Sequence, residues 1–209
     1  MVLADGLTLM GEYGAGTMTE FQAFYAPTFR YSVGLGRLTL NSHVDSSDGG
    51  DHGHGGTTGQ AVPSHDLTYF RINYLPVRWN LEAAQANLSV WGSAGEVRPE
   101  TASEIPLFWN LGGQIDYETR RIYAALRSEH YEASTFQHRI DTVQLGVAPY
   151  QHDYDRLALW FVIQARQYTG ALHDGTELSA LVRLFKRRAW LEAGVTQDGK
   201  AQAMLMLNF

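Results

Sequence analysis

The chain has 209 residues, no cysteine and a formal net charge of −6. Its length fits one domain, the lack of cysteine excludes disulfides and thiolate metal sites, and the negative charge gives no electrostatic reason to expect nucleic-acid binding. No apolar run approaches the ~18 residues that a membrane helix needs, so a helical membrane protein is excluded. Residues 1–5 lack the basic start and apolar core of a secretory signal, so we expect any exported form to be a mature segment.

Alternating apolar and polar residues predict β-strands along almost the whole chain, because successive side chains of a strand point to opposite faces. Helical spacing fits none of these segments. Twelve strands are predicted, at 5–13, 19–26, 28–41, 66–75, 81–93, 104–116, 120–131, 138–148, 156–168, 175–186, 188–196 and 200–209. Turn signals separate them, at Gly14-Ala15-Gly16, Ala26-Pro27, Pro76, Arg98-Pro99, Pro149, His173-Asp174-Gly175 and Asp198-Gly199.

The last ten residues form the clearest alternating strand. Ala201, Ala203, Leu205, Leu207 and Phe209 fall on one face, and polar residues and methionines fall on the other. This strand resembles the terminal strand of bacterial outer-membrane β-barrel proteins, in which a final phenylalanine closes a strand whose apolar face meets lipid. The resemblance covers the last tenth of the chain. It implies an outer-membrane location in a Gram-negative bacterium.

An even number of strands places both chain termini at one end of a closed barrel. The predicted fold is therefore all-β, a 12-stranded antiparallel transmembrane β-barrel that occupies residues 1–209 as one domain, with periplasmic termini. The connection at about 42–65 is long and rich in His, Gly and Asp, and it is predicted to be an external loop. Tyr25, Tyr31, Tyr74 and Trp109 are expected near the membrane–water boundaries, where amphipathic rings are favoured.

A soluble lipocalin-like barrel is the alternative, with apolar side chains inside and polar ones outside. Large charged groups at mid-strand on the polar face argue against it. They are predicted to line the lumen instead: Glu12, Arg30, Arg71, Asp116, Arg127, Arg166, Arg183 and Glu192. Twelve strands lie between the ~8 that side chains can fill and the 16–18 that leave a wide channel. An open pore and a plugged lumen are therefore both compatible with the sequence.

A soft-metal site is one candidate chemistry. Met10, Met204 and Met206 are predicted to point inward on the first and last strands, which become neighbours when the barrel closes. Seven of the eight histidines fall in or beside the external loops, and His43, His52, His54 and His65 belong to the longest of them. Thioethers select Cu(I), and imidazole suits copper and zinc alike. Copper or zinc is therefore the candidate ion, while loop polarity and wall packing explain the same residues without a metal.

A lipid acyl hydrolase is a second candidate. Ser128 and His130 share the outward face of one strand, and a tight hairpin would place Asp141 opposite Ser128. The order is unfavourable, because a working triad needs the acid beside the histidine. Arg139 is expected opposite His130, where it would disfavour an imidazolium. We therefore expect no enzyme activity.

The sequence as a whole predicts an outer-membrane barrel for passage or capture of a small solute, with a transition-metal ion such as copper as the best candidate. A narrow plugged barrel with a binding or structural role is the nearest alternative. The expected partners are the lipid bilayer and the solute, and nucleic acid is not among them. The oligomeric state and the identity of the solute are not encoded in any recognisable pattern.

Overall fold

The structure, a computed structural model, describes residues 5–14, 17–41, 64–99, 106–151, 156–170 and 174–209. These residues form twelve antiparallel strands in one closed barrel, in which each strand pairs with its neighbours in the chain and the first pairs with the last. The strands are β1 (Gly6–Gly14), β2 (Met18–Ala26), β3 (Tyr31–Asn41), β4 (Ser64–Asn80), β5 (Ala84–Pro99), β6 (Leu107–Thr119), β7 (Ile122–Ala133), β8 (Gln137–Val147), β9 (Ala158–Gly170), β10 (Gly175–Lys186), β11 (Ala189–Thr196) and β12 (Ala201–Asn208). The predicted 12-stranded antiparallel barrel is confirmed.

Side chains around the middle of the barrel are apolar outside and polar inside. Leu35 and Ile163 expose 63% and 69% of their surface, whereas inward Gln164 and Arg71 expose 1% and 5%. Because the barrel is closed, the first and last strands pair and no strand edge is left open. A backbone that crosses hydrocarbon requires this, since its N–H and C=O groups have no water to bond with. This distribution is the reverse of a soluble barrel and is the one that a transmembrane barrel needs. No helix long and apolar enough to cross a membrane occurs among the described residues.

The polarity of the two faces reverses where the strands leave the apolar belt. On β3, Leu38 points inward with no exposed surface, while its neighbours Arg37 and Thr39 point outward. Strand β4 repeats the reversal, with inward Leu67 next to outward Asp66. The barrel therefore continues past the belt as a wall with an apolar interior and a polar exterior.

The prediction that a strand ends at Pro76 was wrong. Strand β4 runs through Pro76 to Asn80, and its register against β5 shifts between Tyr74 and Val77. Proline has no N–H to donate to the ladder, and a β-bulge removes that requirement. The turn follows at 81–83, where Leu81 N–H donates to the Ala84 carbonyl at 2.8 Å.

The two ends of the barrel carry different connections. At the terminus end, where β1 begins and β12 ends, the connections are 27–30, 81–83, 120–121, 148–157 and 187–188. At the opposite end, here called the loop end, they are 15–17, 42–63, 100–106, 134–136, 171–174 and 197–200. The long predicted loop is on the expected side, but 42–63 lies outside the described residues. Most other loop-end connections are short, and 148–157 is the longer one at the terminus end.

Candidate functional site

Ion pairs occupy the middle of the lumen. Glu12 on β1 accepts a hydrogen bond from Arg166 on β9, which lies across the interior from it. Glu129 on β7 lies 2.5 Å from Arg127 Nη2 and 3.6 Å from Arg71 Nη2. An unpaired charge could not be held in such a dry interior, so each carboxylate is placed against a guanidinium. We call this set the ion-pair layer.

Trp91 is the central aromatic side chain of the ion-pair layer. Its ring centroid lies 4.8 Å from the guanidinium carbon of Arg71 and 5.2 Å from that of Arg127. Its indole N–H donates to Glu129 at 2.8 Å. The ring covers Gly112 so closely that a Cβ there would fall 2.2 Å from Trp91 Nε1. The glycine on β6 is therefore the space into which the tryptophan fits.

Arg183 forms a second charged group nearer the terminus end. It donates to Glu192 at 2.6 Å and to Gln144 at 3.0 Å. Its guanidinium carbon lies 4.3 Å from the ring centroid of Tyr123 and 4.5 Å from that of Trp190. Such contacts with aromatic faces stabilise a cation that has left water.

A row of amides continues from this arginine across the wall. Gln144 donates to Gln164 at 2.7 Å, Gln164 donates to Gln202 at 3.4 Å, and Gln202 donates to Glu177. Each amide thus accepts from one neighbour and donates to the next, which satisfies groups that are almost fully buried.

Apolar side chains fill the lumen at the loop end. Leu38, Leu67 and Val97 have no exposed surface. They belong to one buried cluster that we call the apolar layer: Met18, Leu38, Leu40, Leu67, Tyr69, Val97, Phe108, Tyr131, Phe136, Ile140 and Tyr168. Two small cavities, of about 50 Å³ and 20 Å³, lie where Glu12 and Arg166 meet the surrounding wall. These volumes hold a few water molecules and no larger solute.

Tyr69 joins the apolar layer to the ion-pair layer. Its hydroxyl donates to Glu20 and accepts a hydrogen bond from Gln22 at 2.8 Å. A Cβ at Gly36 would lie 2.2 Å from the Tyr69 ring. Neither Glu20 nor Tyr69 was predicted at the site from the sequence, although Glu20 shares its face of β2 with Gln22 and Tyr69 shares its face of β4 with Arg71.

A cavity of about 670 Å³ lies at the terminus end, and we call it the vestibule. Its size is typical of small-molecule sites. One wall is aromatic, from Tyr123, Trp160, Phe185 and Trp190, and the opposite wall is polar. Charged groups of both signs line it: Arg30, Arg78, Arg120, Arg183, Glu82, Asp116 and Glu118. The balance gives no electrostatic preference for an anion or a cation.

The predicted lumen residues point inward on their strands with one exception. The inward set is Glu12, Arg71, Asp116, Arg127, Arg166, Arg183 and Glu192. Arg30 lies in the 27–30 connection and lines the vestibule. Asp116 accepts hydrogen bonds from Asn87 at 2.7 Å and Gln114 at 3.2 Å, so an amide pair holds it.

The three methionines share one wall but face different spaces. Met10 on β1 lies directly opposite Met206 on β12, which lines the vestibule. Met204, two residues before Met206, lines the 20 Å³ cavity with Glu12 and Arg166. The register thus brings two thioethers side by side, and the third lies beside the ion-pair layer.

The histidines form no metal cluster in the part of the chain that is described. His65 begins β4 at the loop end, and its ring centroid lies 5.1 Å from that of Phe136. It is three strands away from Met10. His43, His52 and His54 lie outside the described residues. Among the described residues, no three His, Asp or Glu side chains are arranged to hold a metal ion.

The hydrolase candidates do not form a triad. Ser128 lies opposite Asp141 and His130 opposite Arg139, as the hairpin parity predicts. Arg139 Nε lies 2.9 Å from the Asp141 carboxylate, and His130 Nε2 lies 3.2 Å from Glu132. The acid is therefore held by a guanidinium and the imidazole by a different acid, an arrangement that cannot activate a serine.

The four aromatic residues predicted for the membrane boundaries are exposed on the outside. Tyr25, Tyr31 and Tyr74 lie at the terminus end, exposed by 44–46%, and Tyr31 is directly opposite Tyr74. Trp109 lies nearer the loop end and is 43% exposed. The aromatic rings thus lie towards both ends of the barrel exterior.

Comparison with known proteins gives structural neighbours only. No protein-family model matches the sequence, and a search of curated proteins found no relative. Two solved structures are among those that this chain resembles. A KdgM porin aligns over 98% of both chains with 9% identity and a TM-score of 0.48. A KdgM porin in complex with disordered oligogalacturonate aligns over 98% of both chains with 10% identity and a TM-score of 0.49.

Proposed function

We propose that the protein is an outer-membrane barrel that captures a small polar solute in its vestibule and passes it only when the apolar layer rearranges. The apolar belt supports the membrane location, because exposed aliphatic side chains such as Leu35 and Ile163 suit lipid and not water. The mixed charges of the lumen support a polar solute. No single ion or molecule is favoured by them.

One observation carries this proposal, the contrast between the vestibule and the apolar layer. The vestibule has room for a small molecule at about 670 Å³, whereas the cavities deeper in the lumen reach only about 50 Å³. A solute that enters at the terminus end therefore stops at the ion-pair layer. Leu38 and Leu67, without exposed surface, are the barrier beyond it.

The orientation follows from the connections. Short connections at the periplasmic end and long loops outside are usual in outer-membrane barrels. The 42–63 connection is at the loop end, so we infer periplasmic termini and an external loop end. The vestibule then opens to the periplasm, and the apolar layer separates it from the outside.

Single-channel recording in planar bilayers tests this function. We expect very low conductance from the wild type and a clear increase from the Leu38→Ala/Leu67→Ala variant, because that change empties the core of the apolar layer. Leu35→Ala/Ile72→Ala is the matched control. It shortens lipid-facing side chains on the same two strands, and we expect its conductance to equal that of the wild type.

Two results would contradict the proposal. Wild-type conductance as high as that of the double variant would mean that the apolar layer is not a barrier. A double variant that keeps heat-modifiable gel mobility, and therefore its fold, yet stays closed would place the barrier elsewhere.

A soft-metal site is a second candidate, favoured by the direct pairing of Met10 with Met206. Two adjacent thioethers are suitable for Cu(I), with the loop residues His43, His52, His54 and His65 as collectors. Cu(I) titration of the wild type, Met10→Leu/Met206→Leu and His52→Ala/His54→Ala tests it. Equal copper uptake by all three would discard a metal cargo and leave the solute proposal intact.

A further inference from the structure

Basic residues are concentrated at the terminus end. The chain has 16 Lys and Arg residues, and eight of them lie in or beside the connections at this end: Arg30, Arg78, Arg120, Arg121, Arg156, Lys186, Arg187 and Arg188. Five acidic residues belong to the same stretches of the chain: Asp5, Glu82, Glu118, Asp153 and Asp155. One end of an acidic protein is therefore locally basic.

Six of these residues form a continuous arc on three successive hairpins. They are Arg120 and Arg121 between β6 and β7, Arg156 between β8 and β9, and Lys186, Arg187 and Arg188 between β10 and β11. We call them the basic arc. All six are exposed. The described residues include no ion pair between any of them and a carboxylate, while Asp153 and Asp155 of the same connection lie outside the description.

Exposed apolar residues lie at the level of the basic arc. Tyr150 and Leu157, in the β8–β9 connection, expose 43% and 47% of their surface, and the Tyr150 hydroxyl donates to the Leu157 carbonyl. Phe29, Leu81 and Phe209 at the same end expose 52–57%. Exposed aromatic and aliphatic side chains on such turns are favoured at the boundary of a bilayer relative to free water.

Lys186 connects the arc to the lipid-facing surface. It continues the outward row of β10, after Leu178 and Val182, which are 47% and 39% exposed. The turn to β11 has only two residues, so Arg187 and Arg188 cannot extend far beyond the end of the apolar belt. These cations therefore lie close to the end of the apolar belt.

The backbone of Arg187 is unusual. Its φ is +54°, a left-handed conformation that glycine or asparagine adopts with less strain. The turn carries arginine there in spite of this strain. Arg121 is also held in position, because its guanidinium donates to the carbonyls of Ala148 and Pro149 at 3.3 Å and remains exposed.

We propose that the basic arc binds the anionic headgroups of phospholipids in the leaflet at the terminus end. Guanidinium and ammonium groups at headgroup depth bind phosphate, and each adds to the affinity for an anionic surface. The inference requires that the barrel spans a membrane but is independent of solute capture. An acidic protein partner is the competing occupant of the same surface.

Native mass spectrometry from nanodiscs tests this inference. The discs contain equal amounts of phosphatidylglycerol and phosphatidylcholine with the same acyl chains, and the retained lipids are counted. We expect the wild type to retain phosphatidylglycerol preferentially. Lys186→Gln/Arg187→Asn/Arg188→Gln should lower that preference by roughly fivefold for each cation removed. The asparagine suits the left-handed turn, so the variant keeps its backbone geometry.

The control Arg37→Gln/Arg98→Gln/Lys200→Gln removes the same charge at the loop end and should keep the preference. An equal loss in the control would mean that total charge decides and would overturn the proposal. No preference in the wild type would leave the acidic protein partner as the occupant and would also overturn it.

Displacement of the lipid by soluble glycerol phosphate would assign the arc to free phosphate instead. If the triple variant loses heat-modifiable mobility, Arg121→Gln/Arg156→Gln is measured instead, again with a loss of roughly fivefold for each cation removed.

Discussion

Strands β3 and β4 line both halves of the lumen, yet the two halves differ in the volume and polarity of their inward side chains. At the loop end they contribute Leu38 and Leu67, which have no exposed surface. At the terminus end the same strands contribute Ser32 and Asn73, which line a cavity of about 670 Å³. The barrel has twelve strands at either level, so strand number does not decide whether the lumen is open. The volume and polarity of the inward side chains decide it.

The ion-pair layer between the halves should give the largest effects on stability. Glu12→Gln leaves Arg166 buried without its acid, and we expect a loss of about 3–5 kcal/mol in the free energy of unfolding, since an uncompensated buried charge is costly. Glu12→Leu/Arg166→Met removes both charges and should recover most of that loss. Urea unfolding in detergent measures both variants. If the double variant is as unstable as the single one, packing and not charge pairing holds this layer together.

Alanine substitutions in the two halves of the lumen should lower the free energy of unfolding by different amounts in the same assay. We expect Leu67→Ala to cost about 2–5 kcal/mol, because its neighbours in the apolar layer cannot close the cavity. Asn73→Ala on the same strand removes hydrogen bonds with Arg71 and Ser32 beside the vestibule. Those bonds contribute about 0.5–1.5 kcal/mol each, and water can replace them. Equal losses would mean that the vestibule is packed as tightly as the apolar layer.

The sequence predicted most of the fold because hydrocarbon outside and water inside impose a strict alternation on every strand. It did not predict the apolar layer, because there the alternation continues while its polarity reverses. Residues 37–41 around Leu38 still alternate between apolar and polar, but there the apolar residues face the lumen and the polar ones face outward. The signal was present, since outward Arg37 interrupts the apolar outer face and inward Leu38 interrupts the polar inner face.

Other parts of the site depend on contacts that a single sequence does not contain. The pairing of Glu12 with Arg166 joins β1 to β9 across the lumen, and strand parity gives no distance between them. Pro76 was interpreted as a turn, because a single sequence does not show the register shift against β5 that lets the strand continue through it. The hydrolase geometry was predicted well, because Ser128 and Asp141 belong to one tight hairpin whose register is fixed by its turn.

Alanine substitution of two glycines, one against the apolar layer and one on the outer face, should change the free energy of unfolding by a smaller amount. Gly36→Ala would place a Cβ 2.2 Å from the Tyr69 ring, and we expect a loss of about 1–3 kcal/mol from overpacking. Gly92→Ala is the control, because its Cβ would meet nothing closer than 3.4 Å, at Leu111 on the lipid-facing side. The same unfolding assay compares them. A tolerated Gly36→Ala would mean that the Tyr69 ring can move, and conductance of that variant should then be recorded.

The smallest effect is expected from the ion pair on the outside of the loop end. Arg37 Nη2 lies 2.7 Å from Asp66, closer than Arg71 is to Glu129, but the two side chains are 66% and 33% exposed. By distance alone, the outer ion pair would contribute more to stability than the inner one. The order is reversed because water screens the attraction between exposed charges, and exposed pairs contribute about 0.2–1 kcal/mol. Arg37→Ala should therefore change the unfolding free energy by no more than this, and high salt should abolish the difference from the wild type. A salt-independent loss comparable to that of Glu12→Gln would show that the loop-end exterior is shielded from water. The polar outer wall around Asp66 would then have to be covered by another part of the chain or by a partner.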